Sequence, residues 1–468
     1  MKPGCFAIAL AVFASSVPAA SLCPDSFEMR VIARLPVHLE YGVACGDADH
    51  NGMREVYAIG EDTLDEWTVV CAEHIGGGQF EYRLPGMERQ APWVVSDMDG
   101  DGRGELVTRA GLYLRVYEAP DGTSLPCNLV WADTLNTAFA NRVIASDLDA
   151  DSALDITGIF NRSPYEVWVY ESRGDDEYAR VVRLHTPPVV PGVPVDVAQA
   201  RDMDRDGWPE LVVVTDDDCV GFYEAVADDS MELKATHEPG NWNGAQVVGT
   251  PDMDQDGRPE AVVMGVDVFG VATVCVYEAP CDDSFELVWT TQVQGGYNGN
   301  WRAVSGDVDG DSVFEFALAD GGNLRLFRCT GPDEYAQFWS IDYHMAEVQL
   351  YDIDADGKDE LIHRDGQLET VIRKHVEVGV AERELRGLQG VRVVPSVARP
   401  GVAVRMDGLE SGFSVQVLDA AGRVVAEPGD GVWRTDGVSP GVYFFRFGPS
   451  AASCQPSAVS ARKLLLVE

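Results

Sequence analysis

Seven times between Asp47 and Glu360 the chain writes one nine-residue pattern, Asp-x-Asp-x-(Asp/Asn)-(Gly/Ser)-x-x-(Glu/Asp). The copies start at Asp47, Asp97, Asp147, Asp202, Asp252, Asp307 and Asp352, spaced by 50, 50, 55, 50, 55 and 45 residues. A chain that repeats at such intervals builds units of one supersecondary design, and each unit buries its apolar surface against its neighbours.

Every copy places oxygen donors at its first, third, fifth and ninth positions. The sets are Asp47, Asp49, Asn51 and Glu55; Asp97, Asp99, Asp101 and Glu105; Asp147, Asp149, Asp151 and Asp155; Asp202, Asp204, Asp206 and Glu210. They continue as Asp252, Asp254, Asp256 and Glu260; Asp307, Asp309, Asp311 and Glu315; Asp352, Asp354, Asp356 and Glu360. Ca²⁺ takes roughly 6 to 8 oxygens at about 2.3 to 2.6 Å, so four side chains and a backbone carbonyl nearly complete its shell. Mg²⁺ wants a tighter, more hydrated octahedron and fits less well. The expected cofactor is therefore Ca²⁺, up to seven ions. Gly52, Gly102, Gly207, Gly257 and Gly357 at position six allow the positive φ that curls a loop round an ion. Ser152 and Ser312 stand there in copies three and six, where the same turn costs more.

An EF-hand opens in the same way but closes with a bidentate Glu at position twelve, between two helices. Position twelve here is Ala58, Thr108, Gly158, Val213, Val263, Leu318 and His363, so no acid is available. The runs that follow the loops, such as Glu210-Leu-Val-Val-Val-Thr215, are β-branched and apolar and read as buried strands. Each loop therefore joins two strands. Four strand signals recur in each copy, with a third strand written Val116-Tyr-Glu118, Val169-Tyr-Glu171, Phe222-Tyr-Glu224 and Val276-Tyr-Glu278. Periods near 50 residues with four short strands are the mark of propeller blades.

Copy seven lacks a fourth strand after Leu368-Glu-Thr-Val-Ile372. Asp25-Ser-Phe-Glu-Met-Arg-Val31 matches the fourth strand of copy five, Asp283-Ser-Phe-Glu-Leu-Val-Trp289, and is expected to complete the last blade over residues 26–35. Closure of the ring removes its exposed strand edges. The loops resemble the calcium-binding FG-GAP and VCBS repeats of seven-bladed propellers, the type also seen in integrin α-subunits. The VCBS form is the nearer, because the Phe-Gly and Gly-Ala-Pro letters of the other are mostly absent. The resemblance spans residues 25–375 and implies a calcium-stabilised binding or adhesion domain.

Residues 1–20 read as a secretory signal peptide, with the apolar run Cys5–Phe13 followed by small residues near Ala19 and Ala20. A charged linker over 376–390 leads to a β-rich module over 391–468. Its segments Val417–Val425, Ser439–Arg446 and Ala461–Val467 resemble the type A sorting domain of the type IX secretion system, a small immunoglobulin-like sandwich. The resemblance implies delivery to the surface of, or secretion from, a bacterium with an outer membrane, with its outer-membrane secretion machinery as a partner. The usual Pro-Asn-Pro opening is here Pro395-Ser396. The expected fold is thus all-β, a seven-bladed β-propeller followed by a small immunoglobulin-like β-sandwich.

The formal charge of −42, from 77 acidic and 35 basic residues, disfavours nucleic acid and anionic membrane surfaces as partners. No apolar run is long enough to span a membrane. Beyond Cys5, nine cysteines sit at positions that do not repeat, and Cys275 with Cys281 form the nearest pair. No Gly-x-Ser-x-Gly, His-Glu-x-x-His or phosphate loop appears, and no catalytic residue is assigned. Trp242, Asn243, Tyr297, Trp301, Arg302 and Tyr343, in the connections entering the blades, are the candidate surface for an extracellular glycan or protein. Two alternatives stand beside this. One is a carbohydrate-active enzyme such as a polysaccharide lyase, which needs His or Tyr clustered with Arg at the channel mouth; the other is a structural envelope protein.

Overall fold

The computed structural model describes residues 27–377 apart from 38–41, 62–66, 112, 134–138, 161–165, 186–191, 241, 243–244, 295–300, 321, 343–346 and 366–368. Beyond 377 it describes the strands between 392 and 466 with a few adjoining residues. The expected signal peptide and most of the expected linker lie outside the described residues. Two compact units result, one over Met29–Val376 and one that holds the C-terminal segment from Glu377.

The first unit is a ring of seven four-stranded antiparallel sheets. Blade one runs Ala44–Gly46, Glu55–Glu61, Trp67–Gly76 and Gln79–Arg83, from the innermost strand outward, and the next five blades repeat this order. Their innermost strands are Ala91–Ser96, Phe139–Ser146, Pro194–Gln199, Ala245–Thr250 and Trp301–Gly306. Blade seven takes Val348–Tyr351, Glu360–Arg364 and Thr370–Glu377 from the end of the repeat region, and its outermost strand is Phe27–Leu35. Arg373 Nη1 donates to the Met29 carbonyl at 3.2 Å and Thr370 Oγ1 to the Val37 carbonyl at 2.6 Å, which fastens the first strand to the last repeat.

The second strand of each blade explains the unbroken apolar runs. Glu210–Thr215 and Glu315–Asp320 are buried at every position, because a neighbouring blade covers each face. Outermost strands see solvent and alternate instead, as Ser284–Gln294 does. The apolar clusters lie in the seams between blades. Phe222 of blade four stacks on Phe285 of blade five, with centroids 4.3 Å apart and planes 9° apart, in a cluster that also holds Tyr277 and Trp242. Burial of such rings is the main favourable term in holding the blades together.

The C-terminal unit carries two small sheets. One has three strands in the order Arg392–Val394, Ala403–Asp407, Val432–Arg434, and the other has five in the order Val397–Ala398, Ser460–Leu466, Gly441–Pro449, Phe413–Leu418, Val424–Ala426. Trp433 packs edge-on against Tyr443, with ring centroids 5.1 Å apart. Among the described residues no helix is long and apolar enough to cross a membrane.

Candidate metal loops and central channel

All seven acidic loops connect the innermost strand of a blade to its second strand, and position nine is the first residue of that second strand. Antiparallel alternation then puts the loops, and the hairpins between third and fourth strands, at one face of the ring. The connections between blades lie at the other.

The loops share one set of hydrogen bonds. The position-one carboxylate accepts the position-six N–H, at 3.0 Å from Gly52, 3.1 Å from Gly102, 3.1 Å from Gly207, 2.7 Å from Gly257 and 3.0 Å from Gly357. Ser152 and Ser312 make the same bond at 3.1 and 2.8 Å, with φ of 79° and 69°, so the two serine loops have the shape of the glycine loops. Position four is left-handed as well, at His50, Gly100, Ala150, Arg205, Gln255, Gly310 and Ala355, a feature that the sequence signals only through Gly100 and Gly310.

Position nine is buried in every copy, and one of its carboxylate oxygens accepts the N–H of position two. The distances are 2.8 Å for Ala48 to Glu55, 2.5 Å for Met98 to Glu105, 3.0 Å for Leu148 to Asp155 and 2.7 Å for Met203 to Glu210. The last three are Met253 to Glu260 at 3.0 Å, Val308 to Glu315 at 3.1 Å and Ile353 to Glu360 at 2.7 Å. Burial pushes these carboxyls up, to about 8 for Glu55, Glu105, Glu260 and Glu315, about 9 for Glu210, and about 7 for Asp155 and Glu360, against the partial relief of that backbone bond.

The donor sets fit a hard cation. Asp97, Asp99, Asp101 and Glu105 bring carboxylate oxygens within 4.8 Å of one another, and Asp47, Asp49 and Glu55 do the same. Glu55 Oε1, Glu105 Oε1 and Glu210 Oε1 are buried and accept no hydrogen bond, nor do Asp147 Oδ1, Asp202 Oδ1 and Asp252 Oδ1. Buried polar oxygens without partners are costly unless something else occupies them. Loop seven differs, because Lys374 Nζ lies 2.5 Å from Asp354, 2.8 Å from Asp356 and 2.9 Å from Glu360.

The expected ligand residues separate. Trp242 is 7 % exposed and belongs to the core of the seam between blades four and five, where Gly265 makes room for its indole: a Cβ on Gly265 would stand 1.8 Å from the ring. It is a packing residue rather than a surface ring. Asn243, Tyr297 and Tyr343 lie outside the described residues, as does the side chain of Trp301. Arg302 reaches the central channel, where it ion-pairs with Glu347 of blade seven and donates to Gln246 Oε1 of blade five at 3.4 Å. Arg142 enters from blade three and donates to Asp196 Oδ2 at 3.1 Å, to the Val247 carbonyl at 3.0 Å and to the Ala303 carbonyl at 3.5 Å. These two arginines, five residues ahead of the serine loops, lace the innermost strands of blades three to seven across the axis. A cavity of about 250 Å³ remains beside them, lined by Val43, Trp93, Arg142, Arg302 and Glu347, and among the described residues by neither histidine nor tyrosine.

Cysteines 45, 71, 127, 219, 275, 281 and 329 are free thiols, so Cys275 and Cys281 are not joined. Cys275 is buried in the core and Cys281 is exposed at the end of the same strand, Val271–Cys281.

No protein-family model and no curated protein matches the chain. Among solved structures, the lectin BP39L from Burkholderia pseudomallei superposes with a TM-score of 0.52 at 12% identity, over 73% of this chain and 96% of that one. The WD40 domain of a coronin from Toxoplasma gondii gives a TM-score of 0.49 at 9% identity, over 75% and 89%. At such identities the likeness is one of fold.

Proposed function

We propose that this chain is an exported binding module, a propeller stapled on one face by calcium and presenting the opposite face to an extracellular glycan or protein. The buried carboxylate oxygens without partners at Glu55, Glu105 and Glu210, repeated in register, carry the calcium reading. Bound Ca²⁺ would supply positive charge and fix the loop oxygens around it. The residues that would hold it are those at positions one, three, five and nine; the N–H groups of positions two and six orient positions nine and one, and the position-seven N–H donates to the position-five carboxylate in copies two to seven. The arginine lacing of the channel supports binding over catalysis, since Arg142 and Arg302 are held in ion pairs that join blades, to Asp196 and Glu347. A propeller of this fold is a lectin, which makes sugars the first ligands to try. The signal sequence at 1–20 and the C-terminal module at 391–468, read as an immunoglobulin-like sorting domain, account for export.

A glycan and peptide array probed with calcium and with chelator tests this reading. Binding to one ligand class with calcium, together with a fall in the thermal midpoint on chelation, is the expected result. An unchanged midpoint after complete ion removal, checked by elemental analysis, overturns the calcium role. Binding to no glycan or peptide while calcium is retained overturns the binding role.

A further inference from the structure

The third strands of the blades carry a second column of charge. Glu73, Glu118, Glu171 and Glu224 pair in register with position nine of their own loops, Glu55, Glu105, Asp155 and Glu210. Glu278 holds the same place in blade five, one step beyond the pair Ala261–Tyr277. These glutamates are nearly fully buried, and each meets a basic side chain. Arg83 Nη2 lies 2.5 Å from Glu73, Arg103 Nη1 lies 3.0 Å from Glu118, Arg173 Nη1 lies 3.1 Å from Glu171 and Lys234 Nζ lies 2.9 Å from Glu224. Arg258 Nη1 stands 4.0 Å from Glu278. The cations come from different places: the fourth strand in blades one and four, position seven of the loop in blades two and five, and the third strand in blade three. Arg83, Arg103 and Arg258 also reach one loop acid each, Asp49 at 3.3 Å, Asp101 at 3.3 Å and Asp256 at 3.1 Å, but among the described residues none of the five cations pairs with position nine, whose carboxylate is left to an ion.

Blades six and seven break the column. The residue in register is Arg328 in blade six and Lys374 in blade seven, one step beyond Phe316–Phe327 and Leu361–Arg373. With no glutamate in register, the cation reaches position nine itself. Arg328 is held at the rim, its guanidinium carbon 3.9 Å from the centroid of the Phe338 ring, and reaches Asp309 at 3.1 Å and Glu315 only at 3.7 Å, while Asp309 Oδ1 stays buried without a partner. Lys374 goes further in. Its ammonium touches Asp354, Asp356 and Glu360 at once, and a compact point charge with three donors suits that place better than a planar guanidinium does.

We infer that the Lys374 ammonium permanently fills the seventh loop in place of a metal, so the ring takes at most six calcium ions and its closing blade is held without one. The inference rests on the calcium reading for the other loops. Blade seven is also where Phe27–Leu35 meets Thr370–Glu377, so the joint between the two ends of the ring does not depend on the ion supply.

Native mass spectrometry of the purified protein at saturating calcium should count no more than six ions. Lys374→Glu restores the residue that blades one to five carry, and should raise the count by one relative to wild type. Seven ions on wild type, or an unchanged count in a folded Lys374→Glu variant, overturns the inference. Hydrogen exchange in chelator provides an arm that needs neither the variant nor calcium: the Gly357 and Lys358 amides should exchange at least tenfold more slowly than Gly207 and Gly257. Lys374→Met should abolish that difference. Equal exchange in all loops of the metal-free wild type overturns the lysine assignment, whereas no ion bound by any loop, with loop seven still protected, overturns only the calcium reading.

Discussion

Asp176 donates its backbone N–H to Oδ2 of Asp99 at 2.9 Å, which ties the outer hairpin of blade three to the acidic loop of blade two. The relation repeats around the ring, from Asp229 to Asp149 at 3.1 Å, Asp283 to Asp204 at 2.8 Å and Asp333 to Asp254 at 3.0 Å. The position-three carboxylate therefore serves two elements, its own loop and the next blade. On the calcium reading, loss of an ion would act on the seams as well as on the loops.

Asp204 separates those roles. Asp204→Asn keeps an acceptor for the Asp283 N–H and weakens the proposed ion site, whereas Asp204→Ala removes both. With calcium present, urea unfolding should show the alanine variant less stable than the asparagine variant by about 1 kcal/mol, the net value of one hydrogen bond. Equal stabilities would mean that the hairpin bond contributes nothing.

The arginine lacing of the channel has a measurable cost of removal. Asp196 is 1 % exposed, and Arg142→Met strands its carboxylate among apolar strands. Breaking one side of a buried pair costs about 3 to 5 kcal/mol. The double variant Arg142→Met/Asp196→Asn should recover much of that loss in chemical denaturation, and strictly additive losses would show that the two side chains do not interact.

Blade seven carries an acid-sensitive joint. His363 Nε2 accepts from Arg373 Nε at 2.9 Å and its Nδ1 lies 2.9 Å from the Arg364 carbonyl, so the neutral ring with its proton on Nδ1 is the form that fits. Burial, with Arg373 and Arg34 nearby opposing Asp365, lowers its pKa from 6.5 to about 4. A group with a depressed basic pKa binds fewer protons in the folded state, so its contribution is complete above 6.5 and is lost as pH falls from there through about 4. His363→Gln should flatten the fall of the thermal midpoint across that window. A slope unchanged from wild type would place the acid sensitivity elsewhere.

Gly265 gives the simplest packing test. A methyl there runs into the Trp242 indole, and overpacking of a filled core costs about 1 to 3 kcal/mol. Gly265→Ala should lower the thermal midpoint and shift tryptophan emission to the red. A variant with wild-type emission and stability would show that the indole has room to move.

The ring and its loops were legible because one nine-letter pattern recurs and because buried strands such as Glu210–Thr215 leave no polar face to misread. The serine loops keep their shape because the N–H at position six is held by the position-one carboxylate whatever the side chain. Other features have no column in an alignment of the repeats. Arg83, Arg103, Arg173 and Lys234 meet the same kind of glutamate from three different strands or loops, so only the folded blade brings them into one place. Trp242 looked like a surface ring because its neighbours are polar, and the vacancy at Gly265 that receives it is 23 residues away in sequence. The reach of Arg142 to Asp196, Val247 and Ala303 follows from ring closure, which local sequence does not encode.

The first described strand, Phe27–Leu35, has its partner at Thr370–Glu377, at the far end of the ring. During synthesis it emerges before its partner and has nothing to pair with until more than three hundred further residues have followed. The ring is thus a clasp that fastens last, and blades one to six must wait as an open arc with an exposed edge at each end. On the export reading proposed above, a chain carried across a membrane as an unfolded thread would be spared that open state inside the crowded cell.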